Sequence, residues 1–146
     1  MNPRQQGDLG ERAAAIWLLS TGANVAYPFG HSPDWDLVAE INGQLHRVQV
    51  KTSRYFRLDR WSVQLSTHGG NRSWNGTVKR FHASRCDYLF VLAGDGRQWF
   101  IPASEVGGCG INLGGPMYAA FEVSRGAPLE SGDARGDVRV VKGDGL

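Results

Sequence analysis

The sequence lacks several features that would assign it to other protein classes. Its two cysteines, Cys86 and Cys109, are too few for a disulfide framework and do not form a CxxC metal motif. No apolar run approaches the ~18–20 residues that a membrane helix needs, and residues 1–11 do not have the apolar stretch of a secretory signal. We therefore expect a cytoplasmic (intracellular) protein in a reducing compartment.

The residues that are present suit one folded domain. The 146-residue chain is 41% hydrophobic and 21% charged, which excludes wholesale disorder and collagen-like repeats. A chain of this length buries one substantial core. We expect a single domain over residues 1–125, followed by a polar, glycine-rich C-terminal tail over residues 126–146 in which only residues 138–141 have the pattern of an edge strand.

Positive charge is concentrated in the middle of the chain. Between residues 47 and 85 there are nine Lys or Arg and one acid, Asp59, which leaves seven basic and thirteen acidic residues elsewhere. Five aromatic residues lie in the same segment, and cations interleaved with flat rings suit phosphates and bases. A solvated loop region with core aromatics would have the same composition. Charge alone leaves both interpretations open.

Residues 7–20 have the pattern of a helix. Asp8 is placed to act as the N-cap, Glu11 follows three residues later as the partner in a capping box, and Gly22 supplies the stop. Because apolar side chains occur on almost every side of this segment, we expect the helix to be largely buried.

The rest of the sequence predicts mostly strands. Residues 86–94 are apolar enough to form a central strand. The Gly- and Asn-rich residues 68–77 predict a loop. Residues 107–115 are expected to be irregular, and residues 117–124 fit either a strand or a helix. The other strand segments are 24–29, 34–41, 44–52, 62–66 and 97–102. One helix followed by these strands predicts an α/β or α+β domain with a central mixed sheet flanked by helices.

The clearest local signal is the Asn-Gly dipeptide at residues 42–43, which predicts a two-residue type I′ hairpin. Opposed residue numbers then sum to 85, so Asp36 lies opposite Gln49. In the same register Asp34 lies opposite Lys51, and all four side chains share one face because side chains alternate along a strand. The other face is apolar and is expected to face the core: Trp35, Leu37, Ala39, Ile41, His46, Val48 and Val50.

The polar face of this hairpin brings together the groups of a metal site. Carboxylate and amide oxygens are hard ligands that suit Mg²⁺, and the ammonium group of Lys51 beside them can orient a water or neutralise developing charge. The same face is also explained by ordinary cross-strand ion pairs, Asp34–Lys51 and Glu40–Arg47. The residue pattern by itself leaves both interpretations open.

Three segments, GDLGERAA, PFGHSPDWDLVAE and RVQVKT, resemble the PD-(D/E)xK nuclease superfamily. The resemblance is closest to the intron-encoded (group I) homing endonuclease branch and to the archaeal Holliday-junction resolvases. It covers residues 7–52 and, more weakly, residues 86–106. It implies a restriction-endonuclease-like fold and a DNA endonuclease that hydrolyses phosphodiester bonds with Mg²⁺ or Mn²⁺.

The resemblance also implies roles for individual residues. Glu11, Asp36 and Gln49 correspond to the metal ligands, and Lys51 corresponds to the catalytic lysine of the motif. Gln49 stands where the family usually has Asp or Glu, so the ion would be held with one negative charge fewer. Some members, including the intron-encoded branch, carry Gln there. Taken alone, Glu11 is better explained as the capping-box residue.

The implied partner is duplex or branched DNA. The expected DNA contacts are Asp34, Thr52, Ser53, Arg54, Arg57, Arg60, Arg72, Lys79 and Arg80. Because one small domain covers few base pairs and both strands must be cut, we expect a homodimer or homotetramer. A homing role is favoured over junction resolution and over restriction. The alternative from another class is a non-catalytic nucleic-acid-binding module on the same fold, in which Gln49 marks a decayed site.

Overall fold

The structure, a computed structural model, describes residues 1–30, 34–68, 78–79 and 81–129. Most of the predicted loop at 68–77, the possible edge strand at 138–141 and the candidate contacts Arg72 and Arg80 lie outside the described residues. No described helix is long and apolar enough to cross a membrane.

The N-terminal helix, α1 (Pro3–Ser20), begins four residues earlier than predicted. Its N-cap is Asn2, whose Oδ1 accepts a hydrogen bond from the backbone of Gln5 at 2.9 Å, while the Gln5 side chain accepts the Asn2 backbone N–H at 3.0 Å. This is a complete capping box, and the helix continues through the stretch where the prediction began. The assignment of Asp8 as N-cap and of Glu11 as capping-box partner is therefore wrong.

The burial predicted for α1 is also wrong. Only one stripe of the helix is buried, formed by Gly10, Ala14 and Leu18 at four-residue spacing. Ile16 is 69% exposed and Leu19 is 56% exposed. The helix therefore covers the sheet with one face and does not lie inside the core.

Eleven strands follow in the described chain. They are β1 (Asn24–Ala26), β2 (Leu37–Ile41), β3 (Gln44–Ser53), β4 (Phe56–Arg57), β5 (Arg60–Gln64), β6 (Thr67–His68), β7 (Val78–Lys79), β8 (Tyr88–Ala93), β9 (Gln98–Pro102), β10 (Gly110–Leu113) and β11 (Glu122–Val123). A main sheet has the order β1-β2-β3-β8-β9-β11, a second sheet has the order β10-β5-β4, and β6 pairs with β7. Short 3₁₀ turns occupy Ala103–Glu105 and Ala119–Phe121.

The main sheet is mixed, as predicted. β3 and β8 run parallel at its centre, and the other pairs are antiparallel. The β2–β3 hairpin has the predicted register from Leu37 opposite Val48 to Ile41 opposite Gln44. Asn42 and Gly43 both have positive φ, at 53° and 82°, as a type I′ turn requires. Strand β8 is buried at almost every position, which confirms that it is central.

The main sheet separates two hydrophobic clusters. On one side α1 packs over a cluster that includes Leu37, Val48 and Phe90. On the other side the second sheet packs through Trp61 and Val63 onto alternate residues of β8 and β9. The fold is therefore a helix layer, a mixed sheet and a smaller sheet: in the described residues α1 covers one face of the main sheet and the second sheet covers the other.

Three local predictions need correction. Trp35 packs against the cluster beneath the second sheet, opposite to the face on which Leu37 lies. The segment 107–115, expected to be irregular, contains β10, which pairs with β5. Leu129, assigned to the polar tail, is 2% exposed and packs within the cluster under α1.

Candidate active site

The candidate site begins where the β2–β3 ladder ends. The last paired residues are Leu37 and Val48, but β3 continues to Ser53. Asp36 occupies the step beyond the ladder: its backbone N–H donates to Val48 O at 2.8 Å, and its Oδ2 accepts the Val50 backbone N–H at 2.7 Å. The carboxylate thus takes the place of a strand carbonyl, which fixes it at the edge of β3.

This geometry alters the predicted register of the acidic residues. The predicted ladder pairs Asp36–Gln49 and Asp34–Lys51 do not form, because pairing stops at Leu37 and the chain turns so that Trp35 packs on the other side of the sheet. Asp87 is the main cause of the raised pKa of the Arg47 guanidinium, and the charge of Asp34 adds to that shift.

Arg47 has a different partner from the predicted one. It binds Asp87, with Nε 3.3 Å from Oδ2, and its backbone N–H donates to the same oxygen at 2.7 Å. Glu40 accepts a hydrogen bond from Asn24 at 2.9 Å. The predicted Glu40–Arg47 pair is therefore wrong.

Lys51 is half-buried on β3, two residues beyond Gln49. Burial lowers the pKa of its amine, while the negative charge of Asp36 opposes that shift. The site thus pairs a desolvated amine with a carboxylate fixed by the backbone, an arrangement that recurs where groups act chemically.

Gln49 lies on the same strand and is also half-buried. Its backbone forms a hydrogen bond with the sulfur of Cys86, and burial raises the pKa of that thiol to about 11. The thiol is therefore neutral at pH 7, and the residue packed beside this part of β3 adds no negative charge to the site.

Close packing of α1 on β3 sets the position of the helix-borne acid. A Cβ on Gly10 would lie 2.6 Å from the Thr52 methyl group and 3.2 Å from Val50 Cγ1, so only glycine allows this approach without a shift. Gln6 Nε2 donates to Thr52 Oγ1 at 2.7 Å. Both contacts fix the first half of α1 against the end of β3, and Glu11 follows Gly10 directly.

Glu11 is half-buried in the middle of α1 and no longer has a capping role to explain it. Its charge helps to raise the pKa of Tyr27, a shift caused first by burial. Tyr27 comes just after β1 and is 53% exposed. Sequence reasoning missed Tyr27, Gln6 and the packing role of Gly10, because none of these contacts follows from strand or helix periodicity.

Of the nine predicted DNA contacts, Asp34 and Thr52 are described above, and the other seven fall into three groups. Arg54 and Arg57 are exposed, and Arg60 is half-buried. Ser53 is 3% exposed and its hydroxyl donates to Ser62 O at 2.5 Å, so it is engaged within the fold. The Lys79 side chain, Arg72 and Arg80 lie outside the described residues.

The donor set fits a hard divalent ion only in part. Among residues 1–30, 34–68, 78–79 and 81–129, no three His, Cys, Asp or Glu side chains are grouped as a metal site. Asp36 and Glu11 supply carboxylate oxygens and Gln49 an amide oxygen, which are the donor types that suit Mg²⁺, an ion that retains several waters and takes one or two protein carboxylates.

The comparisons with known proteins agree with this architecture. The bacterial homing endonuclease I-Ssp6803I has a similar structure, with a TM-score of 0.71 and 21% sequence identity over 84% of this chain and 89% of that one. No curated protein sequence matches. This similarity supports the restriction-endonuclease-like fold. A family model described as PD-(D/E)XK endonuclease matches residues 1–113, and the chain therefore belongs to the PD-(D/E)XK endonuclease family.

Proposed function

We propose that this endonuclease hydrolyses phosphodiester bonds of DNA in a reaction that depends on a divalent metal ion. The observation that carries the proposal is the arrangement at the end of the β2–β3 ladder. Asp36 is held by the Val50 backbone at 2.7 Å, and the half-buried amine of Lys51 lies within its electrostatic influence. Asp36, Gln49 and Glu11 would hold Mg²⁺ or Mn²⁺, which when bound supplies Lewis-acid activation of water and charge neutralisation.

Lys51 has two tasks in this reaction. Its ammonium group donates hydrogen bonds to the attacking water and to a phosphate oxygen, which orients the nucleophile and stabilises the charge that develops in the transition state. Because burial lowers its pKa, the amine also gives up a proton more readily than an exposed lysine would. Asp36 limits this effect by favouring the charged form.

Gln49 adjusts the charge of the site. An amide oxygen is a ligand without negative charge, so a site with Asp36, Glu11 and Gln49 carries a charge of −2 where a third acid would give −3. We therefore expect the site to bind the ion with lower affinity. We expect Gln49→Glu to lower the metal concentration needed for half-maximal cleavage if the amide is a handicap, and to abolish cleavage if it is adapted to this site.

DNA is the proposed substrate because the exposed cations lie next to this site in the chain. Strand β3 leads from Lys51 to Arg54 and then to the β4–β5 hairpin with Arg57 and Arg60. Thr52 and Asp34 remain proposed contacts near the scissile phosphate. We leave Ser53 out because its hydroxyl bonds to Ser62. Arg72, Lys79 and Arg80 remain proposed from the sequence alone.

The biological role that we favour is homing, since a homing endonuclease shares the fold. Junction resolution is the second choice and restriction is the third. A homodimer or homotetramer is proposed because a duplex must be cut on both strands. The folded domain is proposed to end near residue 129, with residues 130–146 as a polar tail. An intracellular location is proposed because two cysteines are too few for the disulfide framework of an oxidising compartment.

The competing function is DNA binding without cleavage, and Gln49 is the residue that favours it. The test incubates supercoiled plasmid, linear duplex and a four-way junction with the parent, Asp36→Asn and Lys51→Met, in Mg²⁺, Mn²⁺ or chelator. Glu105→Gln is a matched control, since Glu105 is exposed in the turn after β9. We expect metal-dependent cutting by the parent and control only. Cutting that survives both site variants contradicts the site, and salt-sensitive binding with no cutting supports the binding module.

A further inference from the structure

The turn between β4 and β5 has a backbone conformation that Leu58 does not favour. Leu58 and Asp59 are its two central residues, and both have positive φ, at 53° and 62°. Such turns strongly prefer Asn or Gly, and a bulky residue with positive φ is a genuine outlier. Leu58 is also 84% exposed, so burial of its side chain does not offset the cost.

The same hairpin contains a second locally unfavourable feature. Arg57 and Arg60 are directly opposed across the two strands, and like charges in that position repel each other. Their side chains lie on the face of the hairpin opposite to Phe56 and Trp61, because side chains alternate along each strand. Strain and repulsion at one exposed tip are typical of a surface whose partner supplies the compensation.

The hairpin is held firmly enough to keep this geometry. Phe56 packs on Trp61 with ring centroids 4.8 Å apart, and Trp61 belongs to the buried cluster under the second sheet. The Ser62 backbone N–H donates to Tyr55 O at 2.9 Å. At the tip, Arg60 Nη1 donates to the carbonyl oxygen of Asp59 at 3.1 Å. The turn is thus presented on a fixed support.

We propose that the β4–β5 hairpin enters the major groove of DNA and that Leu58 and Asp59 read base edges there. This inference rests on the proposed function in that DNA is the ligand. β10 pairs with β5 as far as Trp61, so the part of the hairpin that reaches the groove, about 12 Å wide, is the turn and the Arg57–Arg60 pair. Arg57 contacts flanking phosphates, and Arg60 positions the turn through its bond to Asp59.

The chemistry of the two tip side chains specifies what they recognise. The apolar feature that a base pair presents in the major groove is the thymine C5-methyl group, so Leu58 selects thymine. A carboxylate accepts hydrogen bonds, and the cytosine N4 amino group is the donor that Asp or Glu side chains contact there, so Asp59 selects cytosine. The hairpin therefore predicts a thymine and a cytosine at neighbouring positions of each half-site.

The experiment selects bound sequences from a duplex pool with twenty random base pairs between fixed flanks. The parent is compared with Leu58→Gly, which removes the side chain and also relieves the positive-φ strain. Leu45→Ala is the matched control, since Leu45 is 72% exposed near the other hairpin turn. We expect Leu58→Gly to lose the thymine preference at one position per half-site, and Leu45→Ala to keep the preferences of the parent.

A second measurement tests the methyl contact directly. Deoxyuridine replaces the selected thymine in one sequence recovered from the pool, and we expect the parent to bind it roughly fourfold more weakly, the equilibrium equivalent of one buried methyl group. Leu58→Gly should bind both duplexes equally. Its melting temperature should equal or exceed that of the parent, which excludes unfolding as the cause.

Three results overturn the inference: a parent without base preference, a Leu58→Gly variant with the preferences of the parent, or a deoxyuridine substitution without effect. Plasmid cleavage measured in parallel separates this inference from the proposed function. A parent that cuts DNA but gives any of these results contradicts only the hairpin. A parent that selects thymine through Leu58 but cuts no substrate contradicts only the nuclease activity.

Discussion

Two hairpins of this protein have turns of the same length and handedness but opposite relations to their sequences. The β2–β3 turn has Asn42 and Gly43, and the β4–β5 turn has Leu58 and Asp59; all four residues have positive φ. The first pair is the one such a turn prefers, whereas the second is not. The first turn therefore helps to specify the fold, while the conformation of the second turn is maintained by contacts with neighbouring residues.

The difference extends to what each hairpin presents. At its open end the β2–β3 hairpin holds a carboxylate fixed by a backbone hydrogen bond and a half-buried lysine. The β4–β5 hairpin presents exposed Leu58 and the opposed pair Arg57 and Arg60. We infer that chemistry belongs to the first hairpin and DNA contact to the second, and each prediction below tests that division.

The largest expected effect is a loss of cleavage rate in Lys51→Met that Arg57→Met does not share. Lys51→Met should reduce cleavage at saturating DNA by about 10²–10³-fold, because it removes a charge that stabilises the transition state, while affinity for DNA changes little. Arg57→Met should keep the cleavage rate at saturating DNA but weaken binding, and the slope of log affinity against log salt should fall by about 0.9 for one lost phosphate contact. Single-turnover cleavage and binding titrations at several salt concentrations measure both. Equal losses of rate in the two variants would contradict the division.

Lys51→Met should also stabilise the fold at neutral pH. The pKa of Lys51 is lowered by burial, so its charged form is less favourable in the folded chain than in the unfolded chain. Between the lowered pKa and the ordinary value of 10.5 the unfolded state binds more protons, and the stability of the parent rises with pH. The melting temperature of the parent should therefore approach that of Lys51→Met as the pH rises toward 10.5. A constant difference would contradict the desolvated amine.

A smaller effect is expected from the contact between α1 and β3. Gly10→Ala should destabilise the domain by about 1–3 kcal/mol, as overpacking does, since the new methyl group would lie 2.6 Å from Thr52 Cγ2. Thr52→Ser removes that methyl group, so the double variant should recover most of the loss. The cleavage rate should fall in Gly10→Ala and recover in the double variant, in parallel with stability. DNA binding by the β4–β5 hairpin should be unchanged in both variants. Denaturant titration measures the free energy of unfolding, and a failure of Thr52→Ser to rescue would contradict the contact.

The two hairpins also mark how far the sequence predicts this structure. Asn42-Gly43 correctly predicted the turn and the register as far as Leu37 opposite Val48, because turn chemistry and alternation are local properties. The order of elements along the chain predicted the central mixed sheet. The same reasoning failed one step beyond the ladder. Asp36 bonds to Val50 through its side chain, and Trp35 packs on the opposite cluster, so tertiary packing overrides the alternation there.

The elements that sequence reasoning missed depend on partners distant in the chain. Residues 107–115 have a glycine-rich composition that favours irregular structure, yet Gly110–Leu113 form β10 because β5 is available to pair with them. The helix started earlier because the stronger capping box lies at Asn2 and Gln5. The β4–β5 turn gave no signal at all, since Leu-Asp is not a turn dipeptide.

The smallest expected effect comes from exchanging the turn residues. Gly43→Ala should destabilise the domain by about 1 kcal/mol, because alanine at φ of 82° is strained. Leu58→Gly should instead stabilise it, since relief of a similar strain exceeds or matches the greater entropy that glycine gives the unfolded chain. Urea titrations with unchanged m-values measure both. If both variants are destabilised equally, Leu58 makes a structural contribution of its own, and its positive φ is no longer a reason to assign the β4–β5 tip to a ligand.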